Sequence, residues 1–282
     1  MNHIITHYTG DLNQPGIRSF VHSLENVDAD VVFFTSNDTV PDFLRNSQIR
    51  VVFTPDRKLS IPNFQRHFDI LDFFQAEKPE GQFFMCDCRD LVFLGDPFAP
   101  ILIGNAIGQL RALSGDPFAP LFVSDHLHVF QECGLYTNRS EFYNAHWIGA
   151  LYPTALDELG DYIPICGGTI MAESAAPMLA YLRAHVDVIN KRTPTVDPIY
   201  YNDQATINET LRLHMSNLVI HHNEAPTLVY TMGTVPPEEY SITDGRIWVN
   251  GYCPPVIHQY DRRDRAYGLI RERFPYWPGF PP

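Results

Sequence analysis

Phe83 to Phe98 reads FFMCDCRDLVFLGDPF and sets two carboxylates and a guanidinium at the end of an apolar run. Asp87 and Asp90 flank Cys88 and Arg89 there. Paired carboxylates suit a hard divalent cation such as Mg²⁺ or Mn²⁺, which prefers oxygen ligands and keeps positions open for phosphate oxygens. Bound there, such a cation would stabilise charge growing on a departing diphosphate. The same residues also suit an acidic turn whose aspartates bond backbone amides, with Arg89 pairing with one of them.

The elements around this segment decide where it sits. Ile4–Tyr8, Val31–Thr35, Val51–Thr54 and Gln82–Cys86 are short apolar or β-branched runs and predict strands. Ile17–Leu24 predicts a helix, and so does Pro62–Ala76, with Phe64, Phe68 and Leu71 at helical spacing and a proline at its start. Strands alternating with helices imply a mainly parallel sheet with helices over it, where ligands sit beyond the carboxyl ends of the strands. That rule points to the residues after Cys86. The second half is less regular. It predicts a strand over Leu121–Ser124 and helices over Pro177–Ile189 and Asp203–Leu213, then a proline- and aromatic-rich tail from Phe274 to Pro282. GDPFAP occurs twice, at Gly95–Pro100 and Gly115–Pro120, which is too little for a repeat architecture.

Length and composition set outer limits. The 282 residues are 45% apolar and 19% charged, enough to bury a core. A formal charge of −13 argues against a general nucleic-acid binder, which needs a basic face. Five widely spaced cysteines read as free thiols rather than a disulfide framework. No signal peptide and no run long enough to span a membrane is evident, so a cytoplasmic location is expected, with membrane-peripheral association left open.

The acidic segment resembles the Asp-x-Asp region of glycosyltransferases with the GT-A fold, the retaining family 8-like enzymes in particular. It is similar to a version reading Asp-x-Arg-Asp followed by Gly-Asp-Pro-Phe, with Asp87 and Asp90 at the two acidic positions and one extra residue between them. Three further segments resemble the same family. Asn144–Ile148 (NAHWI) and Cys166–Ala172 (CGGTIMA) are similar to paired segments lining the acceptor side. Tyr201–Asn208 (YNDQATIN) resembles the Asp-Gln motif of retaining enzymes. Pro255–Asp261 (PVIHQYD) resembles the segment whose histidine completes the metal site.

The resemblance covers nearly the whole chain and implies an α/β fold, a GT-A type α/β/α sandwich with a Rossmann-like nucleotide-binding half. One glycosyltransferase domain would span residues 1–282, the nucleotide-binding half at 1–100 and the acceptor half with the tail at 101–282. It implies Mn²⁺ or Mg²⁺ held by Asp87, Asp90 and His258. Tyr8, Thr9, Arg66, Asp87, Arg89, Gly167 and Gly168 would bind a UDP- or GDP-sugar donor, and a glycan or other hydroxyl compound would be the acceptor. Asp203 and Gln204 would be catalytic, with retention at the anomeric carbon; inversion would instead need Glu132, Asp203 or another carboxylate as base.

Each residue also has a plainer role open to it. Arg66 could pair with Asp69 or Glu77. Gly167 and Gly168 could form a turn, and Asp203 could cap the helix after it. His126-x-His128, Cys86-x-Cys88 and His221-His222 lack the second half of a structural zinc site. No Gly-x-Ser-x-Gly elbow, P-loop or Gly-x-Gly-x-x-Gly occurs. Two other classes stay open. One is a sugar-nucleotide nucleotidyltransferase, although Thr9–Gly16 (TGDLNQPG) has no basic glycine-rich loop. The other is a non-catalytic carbohydrate-binding protein, for which 13% aromatic residues are suitable.

Overall fold

A computed structural model describes residues 1–45, 48–59, 62–99, 126–192, 203–224 and 226–274. The expected first-half elements are present: β1 (Asn2–His7), α1 (Pro15–Ser23), β2 (Asp30–Thr35), β3 (Ile49–Phe53), α2 (Gln65–Glu77) and β4 (Gln82–Cys86). A 3₁₀ turn over Pro62–Phe64 leads into α2. Lys78 closes it in the left-handed region, its N–H donating to Phe74 O. Four strands pair in parallel in the order β3-β2-β1-β4.

After β4 come β5 (Leu91–Phe93), β6 (Leu127–Gln131), α3 (Phe142–Gly149), α4 (Ala155–Leu159), β7 (Ile165–Ala172), α5 (Ala175–Arg192) and α6 (Asp203–Glu209). β8 (Leu218–His221), β9 (Val229–Thr231), β10 (Ser241–Thr243), β11 (Arg246–Trp248), β12 (Val256–His258) and α7 (Asp264–Arg273) follow. The main sheet has seven strands in the order β3-β2-β1-β4-β7-β6-β8. β7 runs antiparallel to both of its neighbours, and β6 and β8 are parallel to each other. The sheet is therefore mixed but mostly parallel. A smaller sheet, β5-β12-β9, and the β10-β11 hairpin are the other sheets among the described residues.

Alternation along the buried strands assigns the two faces. Ile4, Phe33 and Phe84 point to the side covered by α1 residues Ile17 and Phe20 and by Leu91 and Phe93 of β5. Ile5, Val32, Phe83 and Met85 point to the other side, against α2 and α5 through Ile70, Phe74, Met178 and Leu182. The result is a sheet between two layers.

Several expectations shift at their edges. The helix expected at Pro177–Ile189 is the longer α5. The one expected at Asp203–Leu213 ends as α6 at Glu209 and continues as a turn of π-helix over Thr210–His214. The strand expected at Leu121–Ser124, the second GDPFAP copy and the tail beyond Phe274 lie outside the described residues. No helix among the described residues is long and apolar enough to cross a membrane.

Candidate metal centre and its cleft

Three pieces of backbone converge beyond the end of β4. The Asp87 N–H donates to Gly168 O at 2.8 Å, which carries the β4–β7 pairing past the last residue of β4. Asp90 immediately precedes β5, which pairs antiparallel with β12 so that Leu91 faces His258. The Gln259 N–H then donates to Asp90 O at 2.7 Å. Ladder hydrogen bonds thus fix the backbone on both sides of the acidic segment.

Asp87, Asp90 and His258 each offer one ligand atom, and these atoms lie within 4.8 Å of one another. His258 Nε2 stands 3.4 Å from Asp87 Oδ2 and 3.5 Å from Asp90 Oδ1. It is buried and has no hydrogen-bond partner among the described residues. Its Nδ1 lies 3.2 Å from Cys166 Sγ, which orients the ring so that Nε2 faces the carboxylates. An orphaned imidazole nitrogen facing two carboxylates is the donor set a divalent cation completes, so these residues fit one. Gly168 makes the approach possible. A Cβ there would collide with Asp87 Oδ2 and meet His258 Nε2 at 2.8 Å.

Arg66, near the start of α2, does not pair with Asp69 or Glu77. Those two pair with Arg57 and Arg50. Arg66 Nη1 donates to Asp87 Oδ1 at 2.6 Å, and Nη2 donates to Asp203 Oδ2 at 2.9 Å and to Gly167 O at 3.0 Å. Its Nε donates to His67 Nε2 at 3.1 Å. One guanidinium therefore bridges the first acidic residue and the Asp203-Gln204 pair. Burial opposes charge on Asp87, but Arg66 and His258 outweigh it and hold the carboxyl well below the usual range. Asp90 is also held low against its burial, chiefly by His258. Asp203 is pushed up because burial outweighs its ion pair with Arg66.

A cleft of about 470 Å³ opens over this centre and is lined by Tyr8, Thr9, Arg89, Trp147, Gly167 and Gln204 as well as by the metal-ligand candidates. Every residue assigned to the site from the sequence, Gly168 and Arg66 included, lines this one cleft. Arg89 is half-exposed and lies 3.4 Å from Asp90. Gly167 and Gly168 lie within β7, not in a turn. The missing side chain of Gly168 admits Asp87 and His258 to the backbone, and that of Gly167 admits Ile207. Asp203 opens α6, and its carboxylate reaches Arg66. Tyr201 and Asn202 of the same segment lie outside the described residues.

Glu132 enters the site from behind Gln204. Gln204 Nε2 donates to Glu132 Oε1 at 3.2 Å and to Asn144 Oδ1 at 3.0 Å. Glu132 is 4% exposed, and burial pushes its carboxyl up. The Glu132–Gln204 contact has no signal in the sequence, because β6 is brought near Gln204 only by its antiparallel pairing with β7. The Cys166–His258 contact has no sequence signal either. Asn144 and Trp147 fall within the segment marked by resemblance, NAHWI, which forms most of α3. Of the competing histidines, His128 Nδ1 lies 2.9 Å from His221 Nε2 across the β6–β8 pair, away from the cleft lining. Among the described residues, Asp87, Asp90 and His258 are the one group of three potential metal ligands.

No protein-family model matches the chain, and no curated protein matches it.

Proposed function

We propose that this chain is a metal-dependent glycosyltransferase of GT-A type that moves a sugar from a nucleoside diphosphate sugar to an acceptor hydroxyl with retention. The observation that carries this reading is the Asp87, Asp90 and His258 cluster on the floor of a cleft whose wall holds Arg66, Asp203 and Gln204. The mostly parallel sheet with its antiparallel β7 supports a GT-A type α/β/α sandwich. Mn²⁺ or Mg²⁺ held by the three residues would supply Lewis-acid stabilisation of the diphosphate.

The protein's own groups account for the remaining work. Arg66 holds Asp87 and Asp203 in fixed positions and adds a positive charge beside the diphosphate site. Asp203 accepts hydrogen bonds from donor-sugar hydroxyls, and Gln204 presents its amide at the anomeric carbon. Arg89 and the Gly167–Gly168 backbone line the space for the diphosphate, while Tyr8 and Thr9, at the end of β1, line the space for the nucleoside. Retention is favoured because the Asp203 carboxylate is committed to Arg66 and Glu132 stands behind Gln204, so neither is placed as a free base.

The test is incubation with a mixture of nucleotide sugars and Mn²⁺. Release of UDP or GDP that stops in EDTA supports the proposal. Turnover unaffected by EDTA contradicts it, and turnover that requires pyrophosphate identifies a nucleotidyltransferase. Proton NMR of fresh product from an α-linked donor tests the stereochemistry, and a β-linked product refutes retention.

A further inference from the structure

Helix α3 carries three aromatic rings that run from the cleft into solvent. Trp147 lines the cleft. Tyr143 stacks on it with ring centroids 5.7 Å apart and planes 29° apart. Phe142 stands edge-on to Tyr143 at 5.4 Å. Phe142 is 78% exposed and Tyr143 61%, so two large rings face water. Contiguous exposed rings at the mouth of a polar cleft mark a binding surface rather than a folding requirement.

The helix is pinned to the reaction centre. Its N-terminus is capped by Glu141, whose carboxylate accepts the Asn144 N–H at 2.6 Å. Asn144 is buried and accepts a hydrogen bond from Gln204. The helix that carries the rings is therefore held against Gln204. Topology separates them from the nucleoside space: Tyr8 follows β1 on one side of β4, and Gln204 and α3 lie on the β7 side. Glu141–Gly149, EFYNAHWIG, contains one carboxylate and no lysine or arginine. An anionic sugar would find no lysine or arginine on this helix, and with a net charge of −13 an anionic membrane would be repelled.

We propose that Trp147, Tyr143 and Phe142 form a stacking platform for a neutral oligosaccharide acceptor of at least two sugar units. Its terminal unit lies against Trp147 in the cleft and its next units lie on Tyr143 and Phe142. The C–H faces of sugar rings are apolar and cover the aromatic faces, while their hydroxyls stay in water. This rests on the glycosyltransferase reading and specifies its acceptor.

The test applies the full chain, with Mn²⁺ and UDP or GDP present, to an array of immobilised neutral mono- to tetrasaccharides and to phosphatidylglycerol vesicles. A Phe142→Ala/Tyr143→Ala double variant is measured in parallel. Both side chains are exposed, so the variant keeps its fold, and Mn²⁺-dependent nucleotide binding verifies this. The expected result is retention of neutral glycans of two or more units by the wild type, weakened at least tenfold in the variant. No retained neutral glycan, equal retention by both proteins, or vesicle binding alone overturns the proposal. Loss of Mn²⁺-dependent nucleotide binding in the wild type would instead overturn the donor reading, a result distinct from any glycan outcome.

Discussion

Two acidic centres engage the same helix, α2, and they are built differently. Asp69 is 3% exposed, and its carboxylate is saturated with donors. Arg57 Nε reaches Oδ1 at 2.7 Å, while Gln65 Nε2 at 3.0 Å and His7 Nε2 at 3.1 Å reach Oδ2. Burial works against the charge, but these donors hold the carboxyl at about 2. Near the start of the helix, Arg66 reaches one oxygen of Asp87. The other oxygen and Asp90 face an imidazole nitrogen that has no hydrogen-bond partner among the described residues. A carboxylate enclosed by protein donors is structural. A pair of carboxylates converging with an orphaned nitrogen in an open cleft is arranged for something the chain does not itself supply.

Substitutions should separate the two centres. The largest effect is expected for Asp90→Ala, which removes a candidate metal ligand and, on the proposed function, should lower nucleotide-sugar turnover at least about 10³-fold with little change in melting temperature. A variant that stays active would erase the distinction. Arg66→Ala links the two behaviours, because it leaves Asp87 and the half-buried Asp203 without their cation. Solvent screens Asp87, so the denaturant midpoint should fall modestly while turnover falls with it. A midpoint close to wild type would show that Arg66 is not structural at all.

Asp69→Asn should do the reverse of Asp90→Ala, destabilising by about 2 kcal/mol while the folded fraction keeps its Mn²⁺ binding. The pH dependence has a definite sign. The folded carboxyl is depressed to about 2 from 3.8, so its contribution is complete above the unfolded value and is lost as pH falls from about 4 towards 2. Urea midpoints across that window should slope less in the variant than in the wild type. The smallest effect is expected for Glu132→Gln, which can still accept the Gln204 hydrogen bond. Turnover should change by less than about threefold, whereas a loss near 10³-fold would make Glu132 the base of an inverting reaction.

The parts of this arrangement that depend on local chemistry were legible in the sequence. β1 to β4 follow from apolar runs, α2 from its helical spacing, and the position of Asp87 and Asp90 from a strand that ends in carboxylates. His258 and the Asp203-Gln204 pair came from family resemblance, since a single histidine and a helix-start aspartate have no chemistry of their own in a sequence. Arg66 could be placed on α2, but its partners could not be read. Asp87 and Asp203 reach it only once β7 lies beside β4 and α6 packs on β7. Gly167 and Gly168 have the composition of a turn. Flanked by Ile165, Cys166, Thr169 and Ile170 they continue a strand instead, and their function is to clear space for side chains from other elements. The contacts of Glu132 and Cys166 were out of reach for the same reason, because each partner is distant in sequence.

The central claim is that the Asp87, Asp90 and His258 centre binds a divalent cation and the Asp69 centre does not. Electron paramagnetic resonance titration of Mn²⁺ into wild type, Asp90→Ala and Asp69→Asn, with UDP or GDP present, tests it most directly. The account predicts one saturable Mn²⁺ site in the wild type, retained in Asp69→Asn and lost in Asp90→Ala. No saturable site in the wild type, or a site that survives in Asp90→Ala, would contradict it.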